Sequence, residues 1–179
     1  MLSGTLVGLR AIEPKDIDLM HQWENDVEVW HVSGTTSPFS KYTIEQYIES
    51  CRRDIYSNKQ LRLAIELADA TKKTVGYIDI YDFDPHNQKA GVGILVGDKG
   101  ERKKNYAKES LGLLIKYAFN ILNLRQLYCH IHESNRISNH LFSNAGFRQT
   151  GILRDWIINN GEWENVLVMQ LFNENEPEE

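Results

Sequence analysis

Apolar positions along the chain change their spacing several times, and each change predicts an element. Residues 5–12 read as a strand. Pro14 then suits the first turn of a helix, with Ile17, Met20, Trp23 and Val27 at roughly helical spacing. Residues 31–40, with Gly34, Pro38 and several hydroxyls, read as a loop. A second helix is expected after it: Thr43 and Gln46 form a capping-box pair, and Ile44, Tyr47, Ile48, Cys51 and Ile55 make one apolar stripe. The period then shortens. Residues 61–67, 75–83 and 89–96 are expected to be consecutive antiparallel strands, turned by ADATKK and DPHNQ.

Ala107, Leu111, Leu114, Ile115, Ala118 and Leu122 mark a long amphipathic helix, and residues 127–132 alternate as a strand. Ile137, Leu141, Phe142 and Ala145 define a short helix, which Gly146 is placed to close in a left-handed conformation. A hairpin follows, RDWII and EWENVLVMQLF joined by NNG, with Trp156 and Trp163 expected to face one another. No repeat or linker interrupts residues 1–172, so a single α/β (α+β) domain with a mostly antiparallel sheet is expected. Residues 173–179, mostly acidic, are expected to be disordered.

Composition narrows the classes. The 179 residues carry a net charge of −5, which argues against a nucleic-acid partner. Cys51 and Cys129 are far apart in a chain large enough to fold without a staple, so reduced thiols are expected. The stretch MLSGTLVGLR has no basic segment followed by an apolar run, and no apolar run approaches the roughly 20 residues of a membrane span. The expectation is a cytoplasmic protein without a membrane partner.

GDKGERKKNYAKESLG, residues 97–112, leads from glycines and basic residues into the long helix. First-turn N–H groups lack intrahelical partners and the dipole is positive there, so the segment offers a seat for phosphate. A solvated basic loop capping a surface helix fits the same residues. The segment is neither a Walker loop nor a dinucleotide fingerprint.

Two motifs in order carry a resemblance. Arg102-Lys103-Lys104-Asn105-Tyr106-Ala107 follows the pattern Gln or Arg, two residues, Gly, one residue, Gly or Ala, with Asn105 in place of the glycine. The segment from Asn135 through Ser138, Leu141 and Phe142 to Gly146 and Phe147 follows a second pattern, asparagine to glycine-phenylalanine. In these the chain resembles the GNAT superfamily of N-acetyltransferases, within it the branch of spermidine and ribosomal-protein N-acetyltransferases, over nearly its whole length.

The resemblance implies the GNAT fold, with acetyl-CoA as co-substrate in a cleft between two splayed strands. Backbone groups of Ile94, Leu95 and Val96 would pair with the pantetheine arm. The pyrophosphate would rest on the amides of Arg102, Lys103, Lys104, Asn105, Tyr106, Ala107 and Lys108, with Asn135 across the cleft. Asn105 adopts positive φ more readily than most residues other than glycine. The tyrosine acid of several relatives is replaced by Phe142, which has no proton to give, and their frequent glutamate in the strand before the loop is replaced by Gly91. Tyr106 and Tyr128 are near in sequence, with nothing to place either hydroxyl. A thiol of ordinary pKa, about 8.5, leaves tolerably as thiolate without an acid.

Asp82 matches an acidic position near the acceptor site of spermidine acetyltransferases and is the candidate base or acceptor contact; a turn-capping aspartate is the plainer reading. Residues three apart on a strand face opposite ways, so Asp79 and Asp82 diverge unless a bulge intervenes. Glu28, Glu45, Asp79 and Asp82 could hold a polycation by distributed charge, though acidic residues on amphipathic helices usually just face water. His130 and His132 share a strand face but lack a third ligand, so no metal is expected. Tyr47, Trp23 and Trp30 could line an acceptor slot or simply pack. The expected activity is acetylation of a primary amine, best a polyamine or diamine such as spermidine. A protein N-terminus as acceptor, or a non-catalytic acyl-CoA-binding module, is the alternative. Relatives assemble as homo-oligomers, and nothing in the sequence decides that state here.

Overall fold

The computed structural model describes residues 2–159 and 161–174, the side chains of residues 31 and 32 apart. An eight-stranded sheet forms its centre: β1 (Leu2–Ser3), β2 (Val7–Ala11), β3 (Leu61–Leu67), β4 (Thr74–Asp84), β5 (Lys89–Val96), β6 (Gln126–His132), β7 (Arg148–Asn159) and β8 (Glu162–Phe172). The strand order is β1-β2-β3-β4-β5-β6-β8-β7, antiparallel throughout except where β5 meets β6. The helices are α1 (Ile17–Glu24), α2 (Val27–Ser33), α3 (Lys41–Ser50), α4 (Ile55–Asn58), α5 (Tyr106–Asn120) and α6 (Arg136–Asn144). This is the mixed sheet flanked by helices that the residue pattern and the kinship imply. No helix among the described residues is long and apolar enough to cross a membrane.

Alternation along the strands splits the core in two. Ile78 and Ile80 of β4, Ala90 and Val92 of β5, and Leu127, Cys129 and Ile131 of β6 pack with Leu111, Leu114 and Ala118 of α5 and Phe142 of α6. The other sheet face carries Ala64 and Tyr77 against Met20 and Trp23 of α1 and Ile44 and Ile48 of α3. Helices thus cover both faces, but α1 and α3 cover theirs only at the Tyr77 end. Trp23 and Tyr47 belong to that packing.

The early segment differs from the expectation in its punctuation. The strand expected over residues 5–12 is found over Val7–Ala11, and a short strand not expected, Leu2–Ser3, folds back on Gly8 and Leu9. The first helix stops at Glu24, and Val27 opens a separate helix capped by Asp26, so part of the expected loop is helical. Asn25 directs the break: its side chain bonds the carbonyls of His21 and Phe39 and the amide of Phe39. Ser40, not Thr43, caps α3, its hydroxyl accepting from the Thr43 N–H at 3.1 Å. Ile55 leaves the α3 stripe for its own helical turn, capped by Asp54.

The later elements match their periods closely. Gly146 takes φ 96°, closing α6 as expected. In the hairpin, however, Trp163 opposes Ile158, and a bulge between Leu153 and Ile157 leaves Trp156 without a cross-strand partner. Both tryptophans are more than half exposed and do not pack against each other as expected. Residues 175–179, most of the expected acidic tail, lie outside the described residues.

Candidate functional site

β5 and β6 lie side by side only from Lys89–Gln126 to Gly91–Tyr128. Beyond that they diverge, while β5 keeps its pairing with β4 up to Val96 and β6 keeps its pairing with β8 up to His132. The result is a fork whose walls are Val92–Val96 of β5 and Cys129–His132 of β6, between which no strand pairing is found among the described residues. A free strand edge is a row of N–H and C=O groups that an extended, amide-bearing molecule can pair with. Ile94, Leu95 and Val96 stand on the β5 wall.

The β5 wall runs into the basic loop and α5. Lys103 and Asn105 both take left-handed conformations, φ 64° and 65°. Asn105 is the N-cap of α5, yet its side chain makes no capping bond. The first intrahelical bond is Glu109 N–H to the Asn105 carbonyl at 3.0 Å, so the amides of Tyr106, Ala107 and Lys108 at the helix start have no intrahelical acceptor. The loop is braced around this opening. Arg102 Nε donates to the Val96 carbonyl at 3.0 Å, and Lys104 pairs with Glu101 at 2.6 Å. Two of the three basic side chains therefore shape the loop, and Lys103 remains exposed at its turn. The donor set suits a diphosphate: helix-start amides under a positive dipole, with cations around them. Asn135 caps α6 by accepting from the Ser138 N–H at 3.1 Å.

The sheet face opposite α5 and α6 carries the polar groups at the fork. A bulge in β4 between Tyr81 and Asp84 interrupts the alternation. Ile80 and Phe83 both enter the core, while Asp82, at φ 49°, turns outward beside Tyr128, whose hydroxyl donates to its carboxylate at 3.3 Å. Asp79, Tyr81 and Asp82 thus come to one face, the exception that the sequence pattern left open. Bulges re-aim side chains in this way, often beside binding sites.

Asp79 is engaged elsewhere. Arg62 grips it through Nε at 2.6 Å and Nη2 at 3.2 Å and holds Glu24 at 2.6 Å. The guanidinium lies 5.2 Å from the Tyr47 ring centroid and 5.9 Å from that of Tyr77. Burial pushes the Asp79 carboxyl up, and Arg62 offsets part of that rise. Glu28 pairs with Lys99 at 2.7 Å, and Glu45 lies exposed on the outer side of α3. Of the four carboxylates proposed from sequence, only Asp82 stands free of a cation at the fork.

Phe142 is 3% exposed and packs edge-on against Phe147, ring centroids 5.0 Å apart. Gly91 has a direct physical reason: a Cβ there would overlap the Tyr81 ring. Tyr81 sits across from Gly91 in the β4–β5 ladder and meets the Tyr128 ring edge-on at 5.9 Å. The space that a glutamate at position 91 would need is filled by an aromatic ring from the neighbouring strand. Sequence reasoning passed over Tyr81; the signal available was a bulky aromatic on the strand beside an unexplained glycine. His130 is next along that face, its ring 5.5 Å from Tyr128.

A parallel fork that opens onto an uncapped helix start defines an acyl-CoA-type transferase scaffold. The acetyltransferase (GNAT) domain family matches residues 7–148, and the chain belongs to that family. It is similar to the spermidine N(1)-acetyltransferase of Vibrio cholerae, 25% identical over 163 residues and 91% of each chain. The crystal structure of spermidine N-acetyltransferase from that organism in complex with CoA and spermine superposes with a TM-score of 0.84, at 24% identity, covering 94% of this chain and 96% of the other. A dodecameric structure of the Vibrio cholerae spermidine N-acetyltransferase in an intermediate state superposes at 0.76, with 24% identity and coverage of 94% and 95%. At that identity the structural likeness speaks for the fold.

Proposed function

We propose that this chain transfers the acetyl group of acetyl-CoA to a primary amine of a polyamine or diamine such as spermidine. The observation that carries the reading is the fork: its β5 wall leads through the basic loop to the amides at the start of α5 that have no intrahelical acceptor. The pantetheine arm would lie along Ile94, Leu95 and Val96, and the pyrophosphate over the loop and the amides from Asn105 to Lys108. The acceptor would approach from the opposite face, where Asp82 is the carboxylate free to contact an ammonium group and take its proton. The activity of the Vibrio cholerae relative supports the choice of a polyamine.

Thiol release would be followed with spermidine, putrescine and short peptides in parallel. Turnover with the polyamines is expected, and transfer to peptides alone would overturn the choice of acceptor. Phe142, buried and without a hydroxyl, favours a second reading as an acyl-CoA-binding module. Calorimetric binding of acetyl-CoA with no turnover on any amine would establish that reading. Acetyl-CoA use and two free thiols support a cytoplasmic location. The dodecameric relative and the exposed Trp156, Ile158 and Trp163 support self-association.

A further inference from the structure

Tyr81 lies across the closed end of the fork on the acceptor face. It starts from β4, passes over Gly91 of β5 and reaches the Tyr128 ring on β6, centroids 5.9 Å apart. Gly91 and Tyr128 form the last β5–β6 pair, so the ring lies where the strands part. Three features hold the ring there. Gly91 supplies the room, Tyr128 meets its edge, and the bulge after Tyr81 sends the chain away from the sheet ladder. A phenol carries one O–H that it can donate. Burial pushes the Tyr81 phenol up, so the group stays protonated near neutral pH.

We propose that Tyr81 is a catalytic residue of this chain, its O–H donating a hydrogen bond to the thioester carbonyl oxygen as that oxygen gains negative charge. The inference rests on acetyl-CoA lying in the fork. In the step, the amine lone pair forms the C–N bond while the carbonyl π pair moves onto oxygen, where Tyr81 meets it. When the carbonyl re-forms, the C–S bond breaks and its electron pair leaves with the sulfur as thiolate. The surplus proton on nitrogen passes to Asp82 and on to water, and the thiolate takes a proton from water. Tyr81 keeps its proton throughout, so no acid is consumed and the phenylalanine at position 142 is no obstacle.

Tyr81→Phe keeps the ring over Gly91 and against Tyr128, so the fold and the floor of the fork are preserved. With wild type and variant side by side, calorimetry would measure acetyl-CoA affinity, and thiol release with spermidine would measure kcat and KM. The expected result is affinity within about twofold and kcat lower by about 10²-fold, the usual loss for one donor to an oxyanion. Unchanged kcat with intact binding would overturn the role of Tyr81 and leave the fork reading standing. Loss of acetyl-CoA binding in Tyr81→Phe would also overturn it, since the hydroxyl would then shape the fork rather than act on the reacting oxygen. A wild-type protein that ignores acetyl-CoA would instead remove the fork reading itself.

Discussion

Asn105 holds a left-handed turn with its backbone alone, because its side chain makes no capping bond at the start of α5. Glycine reaches the same conformation without the steric cost that Cβ imposes, a cost of about 1 kcal/mol for asparagine. Asn105→Gly is therefore expected to leave acetyl-CoA affinity unchanged or tighter, and Asn105→Val to weaken it about tenfold, both read by calorimetry. A large loss in the glycine variant would make the amide side chain a ligand. Gly91 is held for a different reason. Gly91→Ala drives a methyl into the Tyr81 ring and is expected to cost about 1–3 kcal/mol in denaturant unfolding. Adding Tyr81→Ala should recover part of that loss, since contacting residues do not add independently. The glycine was visible in the sequence as a missing glutamate. Its cause was not, because the ring that displaces the glutamate comes from the paired strand, and pairing register is not written in either strand alone.

At the scale of elements, Glu109 joins the first strands to the helix that opens the cofactor loop. Its carboxylate accepts from the N–H groups of Thr5 at 2.8 Å and of Leu6 and Val7 at 2.7 Å. Thr5 and Leu6 lie in the turn before β2, and the strand expected over residues 5–12 starts only at Val7, where the bonds from a residue a hundred positions away end. Burial pushes the Glu109 carboxyl up, but the three amides together hold it below the usual glutamate value. A lowered folded value means that the stabilisation is present in full above the unfolded pKa, about 4.3, and is lost as pH falls through the folded value. Glu109→Ala is expected to cost about 2 kcal/mol, lowering Tm by about 4–8 °C at pH 7. The gap between variant and wild type should narrow as pH falls below the unfolded value of about 4.3, and a gap that does not narrow would assign the loss to packing. The helices and the inner strands were legible because their apolar period is long and regular. The break at Asn25 was not, because it rests on a side chain bonding Phe39, a backbone group that only the fold brings near; the caps at Ser40 and Asp54 are local and were passed over for the Thr43–Gln46 pair and a continuous apolar stripe.

At the scale of the whole molecule, the sheet is two ladders sharing a short parallel seam. β1 to β5 form one, β6, β8 and β7 the other, joined from Lys89–Gln126 to Gly91–Tyr128. Strand alternation located the members of each ladder. The parallel seam, and β8 lying between β6 and β7, came from kinship or from the structure, since hydrophobic period does not say which strands are neighbours. A molecule lying along the fork would give the free edges partners and tie the ladders together. Acetyl-CoA at about 100 times its Kd should add about 2.7 kcal/mol to stability. For a chain of this size that is a rise in Tm of about 5–10 °C. The location of the effect is the sharper test. Amides between Val92 and Val96 that point away from β4 should exchange rapidly in the free protein and slowly with acetyl-CoA, whereas those bonded to β4 should be slow in both. Desulfo-CoA, which keeps the arm and lacks the sulfur, should protect the same amides. Protection confined to the start of α5 would mean that only the diphosphate is held, and the strand-like pairing along Ile94, Leu95 and Val96 would have to be abandoned.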